Sequence, residues 1–152
     1  SRYTTFDYRF VSAPYAPVSL DAARDFLSSA DNEVSRQFPS KVALEALAPL
    51  ISYSVNVTNT GSMDADHVVL GMLVPPEAGQ NGVPLQTLWG FERVHVKAGQ
   101  TVTVNMYPAL DEFTRVDETG ARLVHPGSYT FRFGVPEMPA DQGYLEHIVE
   151  TF

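Results

Sequence analysis

The sequence of 152 residues predicts an all-β protein, an antiparallel β-sandwich interrupted by one long insert that carries a short helix. The first observation behind this prediction is an alternation of apolar and polar residues with a period of two, which is typical of half-buried strands. The second is the set of short Gly-, Asn- and Pro-containing motifs between these runs, which indicate turns. The chain is long enough for a continuous core, so we expect residues 1–152 to form a single domain.

Each alternating run presents one apolar face. The residues expected to point into the core are Phe6, Tyr8 and Phe10; Tyr53, Val55 and Val57; Val102, Val104 and Met106; and Tyr129, Phe131 and Phe133. Residues 67–74 (HVVLGMLV) are apolar almost throughout, which favours a central strand of a sheet. Residues 143–152 (GYLEHIVETF) are predicted to form a closing strand.

The interval from residue 12 to residue 48 breaks this pattern and is predicted to be the insert. Leu20, Ala23 and Phe26 have helical spacing, and Ser19 precedes them as a candidate N-cap. The sequence also allows a second helix over residues 41–48.

Composition and charge exclude several classes of partner and cofactor. The formal net charge is −8, and no cluster of Lys and Arg suited to phosphate groups is present, so neither nucleic acid nor a membrane is expected as a partner. The chain has no cysteine and therefore neither disulfides nor thiolate metal sites. We predict no cofactor.

Four motifs in a fixed order carry a family resemblance. They are SRYTTFDY (1–8), VNVTNTGSMDADHVVLGML (55–73), LWGFERVHVKAGQTVTV (88–104) and DETGARLVHPGSYTFRFGV (117–135). Together they resemble the fibronectin type III-like domain at the C-terminus of glycoside hydrolase family 3, which includes β-glucosidases and β-xylosidases. The resemblance implies an immunoglobulin-like sandwich, and it implies that the catalytic nucleophile and acid/base belong to preceding domains.

The acidic residues do not indicate a catalytic pair. Glycoside hydrolysis requires two carboxyl groups about 5–10 Å apart across a cleft, one of them with a raised pKa. The candidate pairs are Asp64/Asp66, Asp111/Glu112 and Asp117/Glu118. All of them lie in or beside predicted turns, where solvated carboxylates are the usual state, so we predict no catalytic residues and no enzymatic activity.

The histidines do not indicate a metal site. His67, His95, His125 and His147 are far apart in sequence and form no pair at the spacing that metal ligands on one strand or helix require. We expect them at the surface or in turns. Arg93, His95 and Lys97 alternate along one strand face and could form a basic ligand stripe, but a half-solvated strand shows the same pattern.

Five aromatic residues have two interpretations. Trp89, Phe91, Tyr107, Phe113 and Tyr129 could form a platform for stacking on sugars, or they could pack in the core. Packing is favoured because aromatic residues supply the core of most sandwiches. Trp89 and Tyr129 are therefore predicted to be structural, with Tyr129 as a corner tyrosine whose hydroxyl binds an upstream backbone group.

One modification signal is present. Asn56, Val57 and Thr58 form an N-glycosylation sequon, and the alternation places Asn56 and Thr58 on the outward face. In a eukaryotic secretory protein we expect Asn56 to carry a glycan.

Two functions of different class fit these observations. In the first, the chain is a non-catalytic extracellular module that self-associates into a fibre or coat through its terminal strands, with Ile148 and Phe152 in the contact. In the second, it is the accessory domain of a secreted family 3 glycoside hydrolase that braces the catalytic domains or touches polysaccharide. Because the chain begins with Ser1 rather than Met, we expect it to be a piece of a longer protein.

Overall fold

The structure is a computed structural model that describes residues 5–29, 40–134 and 145–152. The strands are β1 (Phe6–Ser12), β2 (Tyr53–Asn59), β3 (Ala65–Val74), β4 (Thr87–Val96), β5 (Thr101–Met106), β6 (Thr114–Val116), β7 (Arg122–Val124), β8 (Gly127–Gly134) and β9 (Leu145–Thr151). The helices are α1 (Asp21–Ser28), α2 (Ser40–Glu45) and a 3₁₀ helix (Leu110–Phe113).

Two antiparallel sheets form the sandwich. One contains three strands in the order β1-β2-β5, and the other contains four in the order β4-β3-β8-β9. The strands β6 and β7 form a separate hairpin. The predicted fold class, an immunoglobulin- and fibronectin type III-like antiparallel sandwich, is confirmed. The apolar run at residues 67–74 forms most of β3, which lies between β4 and β8 as the sequence predicts for a central strand.

The inner faces of both sheets supply one core. Tyr53, Val55 and Val57 of β2 and the aromatic residues of β8 have no exposed surface. The ring of Tyr53 lies 5.2 Å from that of Phe131 and 4.9 Å from that of Phe133, so the two sheets meet through aromatic contacts. Strict alternation is what makes this possible, because every second side chain of a strand points to the same face.

The insert forms a second, smaller core beside the sandwich. Ala23 of α1, Leu44 of α2 and Leu110 of the 3₁₀ helix are buried against one another. The predicted second helix is therefore present, as α2. The predicted cap at Ser19 is wrong by one residue: Leu20 occupies the N-cap position without a side-chain hydrogen bond, and the Ser19 hydroxyl accepts a 3.2 Å hydrogen bond from the Asp21 N–H.

The closing strand is held on both sides by its own chain. Over Leu145–Thr151 it pairs with β8. On the other side the Val18 N–H donates to the Glu150 carbonyl at 2.8 Å, and the Leu20 N–H donates to the Phe152 carbonyl at 2.8 Å. In this chain the insert therefore occupies the edge at which the terminal strand of a neighbouring copy would pair, and self-association by exchange of terminal strands stays a prediction.

In the described part of the chain, none of the helices has the length and apolar character needed to cross a bilayer.

Candidate functional site

The outer surface of the three-stranded sheet, here called the polar face, carries small polar residues on β2 and β5, and β1 adds the exposed Asp7, Arg9 and Val11. The small polar residues are Ser54, Asn56 and Thr58 of β2 and Thr101, Thr103 and Asn105 of β5. These side chains bind one another across the strands: the Thr103 hydroxyl donates to Asn56 Oδ1 at 2.7 Å, and the Thr58 and Thr101 hydroxyls lie 2.7 Å apart. A surface whose polar groups are paired in this way is suited to contact with water.

The outer surface of the four-stranded sheet is different. Along β3 and β4 it carries an apolar strip that consists of Val68, Leu70 and Met72 of β3 and Leu88 and Phe91 of β4. Ile148 of β9 lies on the same outer face but is separated from the strip by the polar residues of β8. Leu70 lies opposite Phe91, and Met72 lies opposite Leu88. Leu88, Phe91 and Ile148 are 54 %, 55 % and 59 % exposed. Contiguous apolar residues on the surface of a domain mark a contact with another protein surface or a ligand.

A β-bulge explains how β4 places Leu88 and Phe91 on the same face although they are three residues apart. The register between β3 and β4 shifts between Gly71 and Met72, so that Trp89 is the extra residue. Its ring lies inside the sandwich, 5.8 Å from Phe131 and edge-on to it, and Nε1 donates to the Met72 carbonyl at 3.0 Å. The bulge turns Trp89 inward and both of its apolar neighbours outward.

The glycine opposite the indole is required by this arrangement. A Cβ atom at Gly71 would lie 2.6 Å from two ring carbons of Trp89, closer than any tolerable contact. The structure therefore places Trp89 as a packing residue. A stacking platform is not formed, because Trp89, Phe113 and Tyr129 pack inside the sandwich whereas Phe91 and Tyr107 lie separately on its surface.

Tyr129 has no exposed surface, and its hydroxyl donates to the backbone carbonyl of His125 four residues upstream. Its ring packs edge-on to Phe113 at 4.9 Å. Burial, together with the nearby Glu112 carboxyl, raises the pKa of this hydroxyl far above its ordinary value, so Tyr129 remains a neutral donor. This is the geometry of a corner tyrosine.

Two histidines are packed among aromatic rings, which corrects the expectation that all four lie at the surface or in turns. The His67 ring stacks on Phe6 at 3.7 Å and hydrogen-bonds the Tyr8 hydroxyl through Nε2. Nδ1 of His147 lies 2.9 Å from the hydroxyl oxygen of Tyr53. Burial lowers the pKa of both imidazoles. The aromatic neighbours come from other strands, so their proximity was not visible in the sequence.

No group of three or more potential metal ligands occurs among the residues that the structure describes. His95 is exposed and pairs with the Asp66 carboxylate at 2.7 Å. Arg93 and Lys97 are exposed on the same strand face as His95, as the sequence predicts for a solvated strand.

The acidic pairs divide into two kinds. Asp64 accepts a 2.8 Å hydrogen bond from the Ala98 N–H, and Asp117 accepts hydrogen bonds from Thr119 and Ala121 that lower its pKa. These are the turn carboxylates that the sequence predicts.

Asp111 and Glu112 are the exception, and the prediction of solvated carboxylates is wrong for them. They lie in the 3₁₀ helix, and Asp111 is only 8 % exposed. Burial raises the pKa of Asp111, and burial together with the Asp111 charge raises that of Glu112 to about 7. The insert makes the difference, because α2 packs against the 3₁₀ helix and shields it from water.

The sequon residue Asn56 lies at the middle of the polar face. It is on β2, with Arg9 of β1 on one side and Thr103 of β5 on the other. Glycosylation at this position stays a prediction.

One structural residue was missed by the sequence analysis. Asn59 is fully buried, and its Nδ2 donates to the Met63 carbonyl at 2.8 Å and to the Val96 carbonyl at 2.9 Å. Its Oδ1 accepts from the Gly61 N–H at 2.9 Å. Asn59 thus ties the turn after β2 to the end of β4. The Asn-Thr-Gly sequence indicated a turn, but the long-range partner at Val96 had no local signal.

This chain is similar to one part of several larger enzymes. Residues 67–135 match the family model of the fibronectin type III-like domain. The chain is 32 % identical over 129 residues to exo-1,4-β-xylosidase bxlB of Emericella nidulans, which covers 84 % of this chain and 15 % of that protein. It is 31 % identical to β-D-xylosidase 1 of Arabidopsis thaliana over 87 % of this chain and 17 % of that protein. The chain therefore spans about one sixth of the length of these relatives.

Solved structures share the fold. The β-D-glucoside glucohydrolase of Trichoderma reesei superimposes with a TM-score of 0.70 and 16 % identity, covering 99 % of this chain and 19 % of that chain. The GH3 β-glucosidase of Bifidobacterium adolescentis superimposes with a TM-score of 0.64 and 20 % identity, covering 98 % of this chain and 17 % of that chain. At these identities the solved structures show the shared fold. The family model and the xylosidase relatives show that the chain belongs to the fibronectin type III-like domains of family 3 glycoside hydrolases.

Proposed function

We propose that the chain is a secreted, non-catalytic accessory domain whose apolar strip packs against the catalytic part of a family 3 glycosidase. The observation that supports this proposal most directly is the contrast between the two outer faces. Phe91 and Leu88 are about half exposed on β4, whereas β2 and β5 of the other sheet present a lattice of paired hydroxyl and amide groups. Only the first of these surfaces gains free energy when it leaves water.

The surroundings of the strip also suit a contact within a larger protein. Arg132 pairs with Glu146 at 2.7 Å, and the Ser128 hydroxyl donates to Glu150 at 2.8 Å, so β8 and β9 place polar groups beside the apolar strip. An apolar centre with a polar border is typical of specific interfaces. We expect the partner that covers the apolar strip to be another part of the same polypeptide, because the chain spans only 15 % of its xylosidase relative from Emericella nidulans.

The gene provides the first test. Upstream of the Ser1 codon we expect the same reading frame to continue into a segment similar to the catalytic part of the xylosidases. A start codon directly before Ser1 would remove the proposed partner.

A matched pair of variants tests the face itself. Phe91 and Tyr107 are 55 % and 56 % exposed, the first in the apolar strip and the second just after β5 of the other sheet. In the full-length enzyme, Phe91→Ser should lower the temperature of thermal inactivation, and Tyr107→Ser should leave it unchanged. In the isolated chain neither should shift the melting temperature appreciably. Equal effects of both variants on the full-length enzyme would contradict docking through the strip.

The non-catalytic role has its own test. The isolated chain should release no sugar from aryl β-xylosides or β-glucosides above the buffer blank. Turnover that disappears on Asp111→Asn or Glu112→Gln would overturn this part of the proposal.

Secretion is tested through Asn56. In the protein purified from a eukaryotic host, treatment with an N-glycosidase should convert Asn56 to Asp, with the mass change that this reaction requires. An unmodified Asn56 peptide from that source would contradict the secretory route. A glycan there would keep the polar face free of protein contacts.

Self-association into a fibre or coat is the second candidate, and exposed apolar residues near the C-terminus support it. Ile148 and Phe152 are each 59 % exposed, and Ile148 lies on the same outer face as the apolar strip, beside Thr130 of β8. Strand exchange is not needed, because two copies can meet through this outer face. Light scattering of the isolated chain distinguishes the candidates: a species that dissociates on Ile148→Ser favours self-association, and a monomer at high concentration favours the accessory domain.

A further inference from the structure

A cleft at one end of the sandwich has features that the docking role does not use. It has a volume of about 290 Å³ and lies between the β3–β4 loop (residues 75–86) and the segment that contains the 3₁₀ helix and the β6–β7 hairpin. Its apolar wall includes Pro75, Val83 and Pro84. Its polar groups are those of Asn81, Thr87, Asp111, Glu112, Arg115 and His125.

Asp111 is the residue that the fold alone does not explain. It lines the cleft, it is only 8 % exposed, and its Oδ1 atom has no hydrogen-bond partner among the described residues. A buried carboxylate oxygen without a donor is costly, and most such groups in folded proteins are paired. The Oδ1 atom has almost no accessible surface, so a ligand in the cleft does not reach it, and Asp111 acts on the cleft through its charge beside Glu112.

The opposite side of the cleft is held in place by an ion pair. The Arg115 guanidinium donates to Glu77 at 3.0 Å, and Glu77 also lies 3.9 Å from Nε2 of His125. Glu77 belongs to the β3–β4 loop and Arg115 to β6, so this pair joins the two walls. A guanidinium has five N–H groups, and the 3.0 Å bond to Glu77 uses one of them.

This mixture of groups selects against charged ligands. An anion would meet the Asp111 and Glu112 carboxyls, and a metal cation would meet the Arg115 guanidinium. A hydroxyl group can donate to a carboxylate and accept from a guanidinium or an amide at the same time. A carboxylate accepts a hydrogen bond from a hydroxyl, and a protonated carboxyl donates one to it. Because the pKa of Glu112 is raised to about 7, this side chain can do either near neutral pH.

We propose that this cleft binds a neutral sugar unit, with the Glu112 carboxyl binding one hydroxyl, Arg115 donating to another, and the Pro75, Val83 and Pro84 wall contacting the apolar face of the ring. Pockets in proteins commonly combine an apolar lining with a few polar groups that fix the orientation of the ligand.

The cleft continues into a longer groove, which favours a chain of sugars over a free monosaccharide. A second depression of about 710 Å³ shares Asn81, Gly82, Arg115 and Val116 with the cleft and extends along residues 117–119. Arg115 lies at the junction. A linear oligosaccharide can place one unit in the cleft and the following units in this open groove.

The test is an NMR titration of the ¹⁵N-labelled chain with xylohexaose and, separately, with cellohexaose. Saturable shifts should be confined to the amides of residues 81–87 and 111–119. A footprint with either sugar supports the proposal, and the stronger response identifies xylan or glucan as the source of the ligand. The proposal is overturned if neither sugar shifts these amides, or if the shifted amides are confined to the apolar strip.

Charged probes and variants sharpen the test. Calcium chloride and sodium phosphate should leave these amides unshifted. A saturable footprint from either salt would show that the cleft is an ion site and would overturn the sugar proposal. Arg115→Gln should weaken the affinity for the bound sugar by roughly tenfold, the effect of losing one charge-assisted hydrogen bond. Arg93 is exposed on β4 and does not line the cleft, so Arg93→Gln is the matched control and should bind as the original chain does.

A structural side effect can be separated from lost binding. Arg115→Gln also removes the ion pair with Glu77, so Glu77→Gln serves as a second variant that breaks the pair but leaves the guanidinium free to bind sugar. Retained binding in Glu77→Gln together with weakened binding in Arg115→Gln supports a direct contact. Equal affinities in both variants and the original chain overturn the role of Arg115 and, with it, the orientation proposed for the ligand.

Discussion

The two outer faces of this sandwich are built from the same kind of strand but have opposite chemistry. On β2 and β5 of the three-stranded sheet the outward residues are Ser, Thr and Asn, and they bind one another across the two strands. On the four-stranded sheet β3 and β4 carry the outward residues Leu70, Met72, Leu88 and Phe91, and the charged pairs begin only towards the other end of the two strands, at Arg93 and at His95 with Asp66. The inner faces of the two sheets, in contrast, are equally apolar.

The difference shows which surface the fold itself requires. Inward residues are apolar in both sheets because the sandwich needs a dry core. Outward residues are free to differ, so an apolar outer face indicates a second contact beyond the fold. Trp89 strengthens this conclusion, because its bulge is what turns Leu88 and Phe91 outward together.

The largest expected effect tests whether β9 is part of the sandwich or an external connector. Deletion of residues 145–152 removes the strand that pairs with β8 and with the insert at Val18 and Leu20. We expect loss of the cooperative thermal transition, measured by circular dichroism. As a control, Phe152→Ser changes only an exposed side chain and should stay within about 0.5 kcal/mol of the original free energy of unfolding. A deletion variant that stays folded and is monomeric would show that the sandwich does not need its own β9, and it would favour pairing of this strand with a neighbouring copy.

The next effect concerns the inner face. Tyr129→Ala empties a fully buried site and should lower the free energy of unfolding by about 3–5 kcal/mol. Tyr129→Phe removes only the hydrogen bond to the His125 carbonyl and should cost about 0.5–1.5 kcal/mol. Chemical denaturation measures both. Two small and equal losses would show that the ring is not packed between the sheets.

Asn59 joins the two sheets at a single side chain, and its loss should have an intermediate effect. Asn59→Ala leaves the carbonyls of Met63 and Val96 without their donor inside the protein. Unpaired buried groups typically cost about 1–3 kcal/mol, so we expect a loss in this range. Asn56→Ala on the polar face is the matched control, and a similar loss there would show that the buried position of Asn59 is not what matters.

The smallest effect is a pH dependence at the cleft. Glu112 has a pKa raised from 4.5 to about 7, so the folded state holds this proton more tightly than the unfolded state. Its contribution to stability is therefore present at acidic pH and is lost as the pH rises from about 4.5 to about 7. Glu112→Gln should flatten the melting temperature over this interval relative to the original chain.

The histidines act in the opposite direction. Burial lowers the pKa of His67, His125 and His147, which favours unfolding as the pH falls. Because these residues are the same in both proteins, the difference between the two pH profiles isolates Glu112. Parallel profiles would show that Glu112 is solvated in the folded protein.

The sequence by itself determined the strands and their inward faces. The spacing of Tyr53, Val55 and Val57 predicted their complete burial, because side-chain direction in a strand depends only on the parity of position. The order of motifs also identified the fold class and the family. Both signals are local or additive along the chain, and no knowledge of distant contacts is needed to use them.

Only the tertiary structure decided which outer face is apolar, where the terminal strand docks, and which acids are buried. Asp111 resembles any turn carboxylate in sequence, and it is buried because the insert brings α2 against the 3₁₀ helix. The Asn59 bond to Val96 joins residues 37 positions apart. The bulge at Trp89 reverses the parity rule within β4. Each outcome depends on segments that are distant in sequence and adjacent in space, so a pattern read along the chain could not contain it.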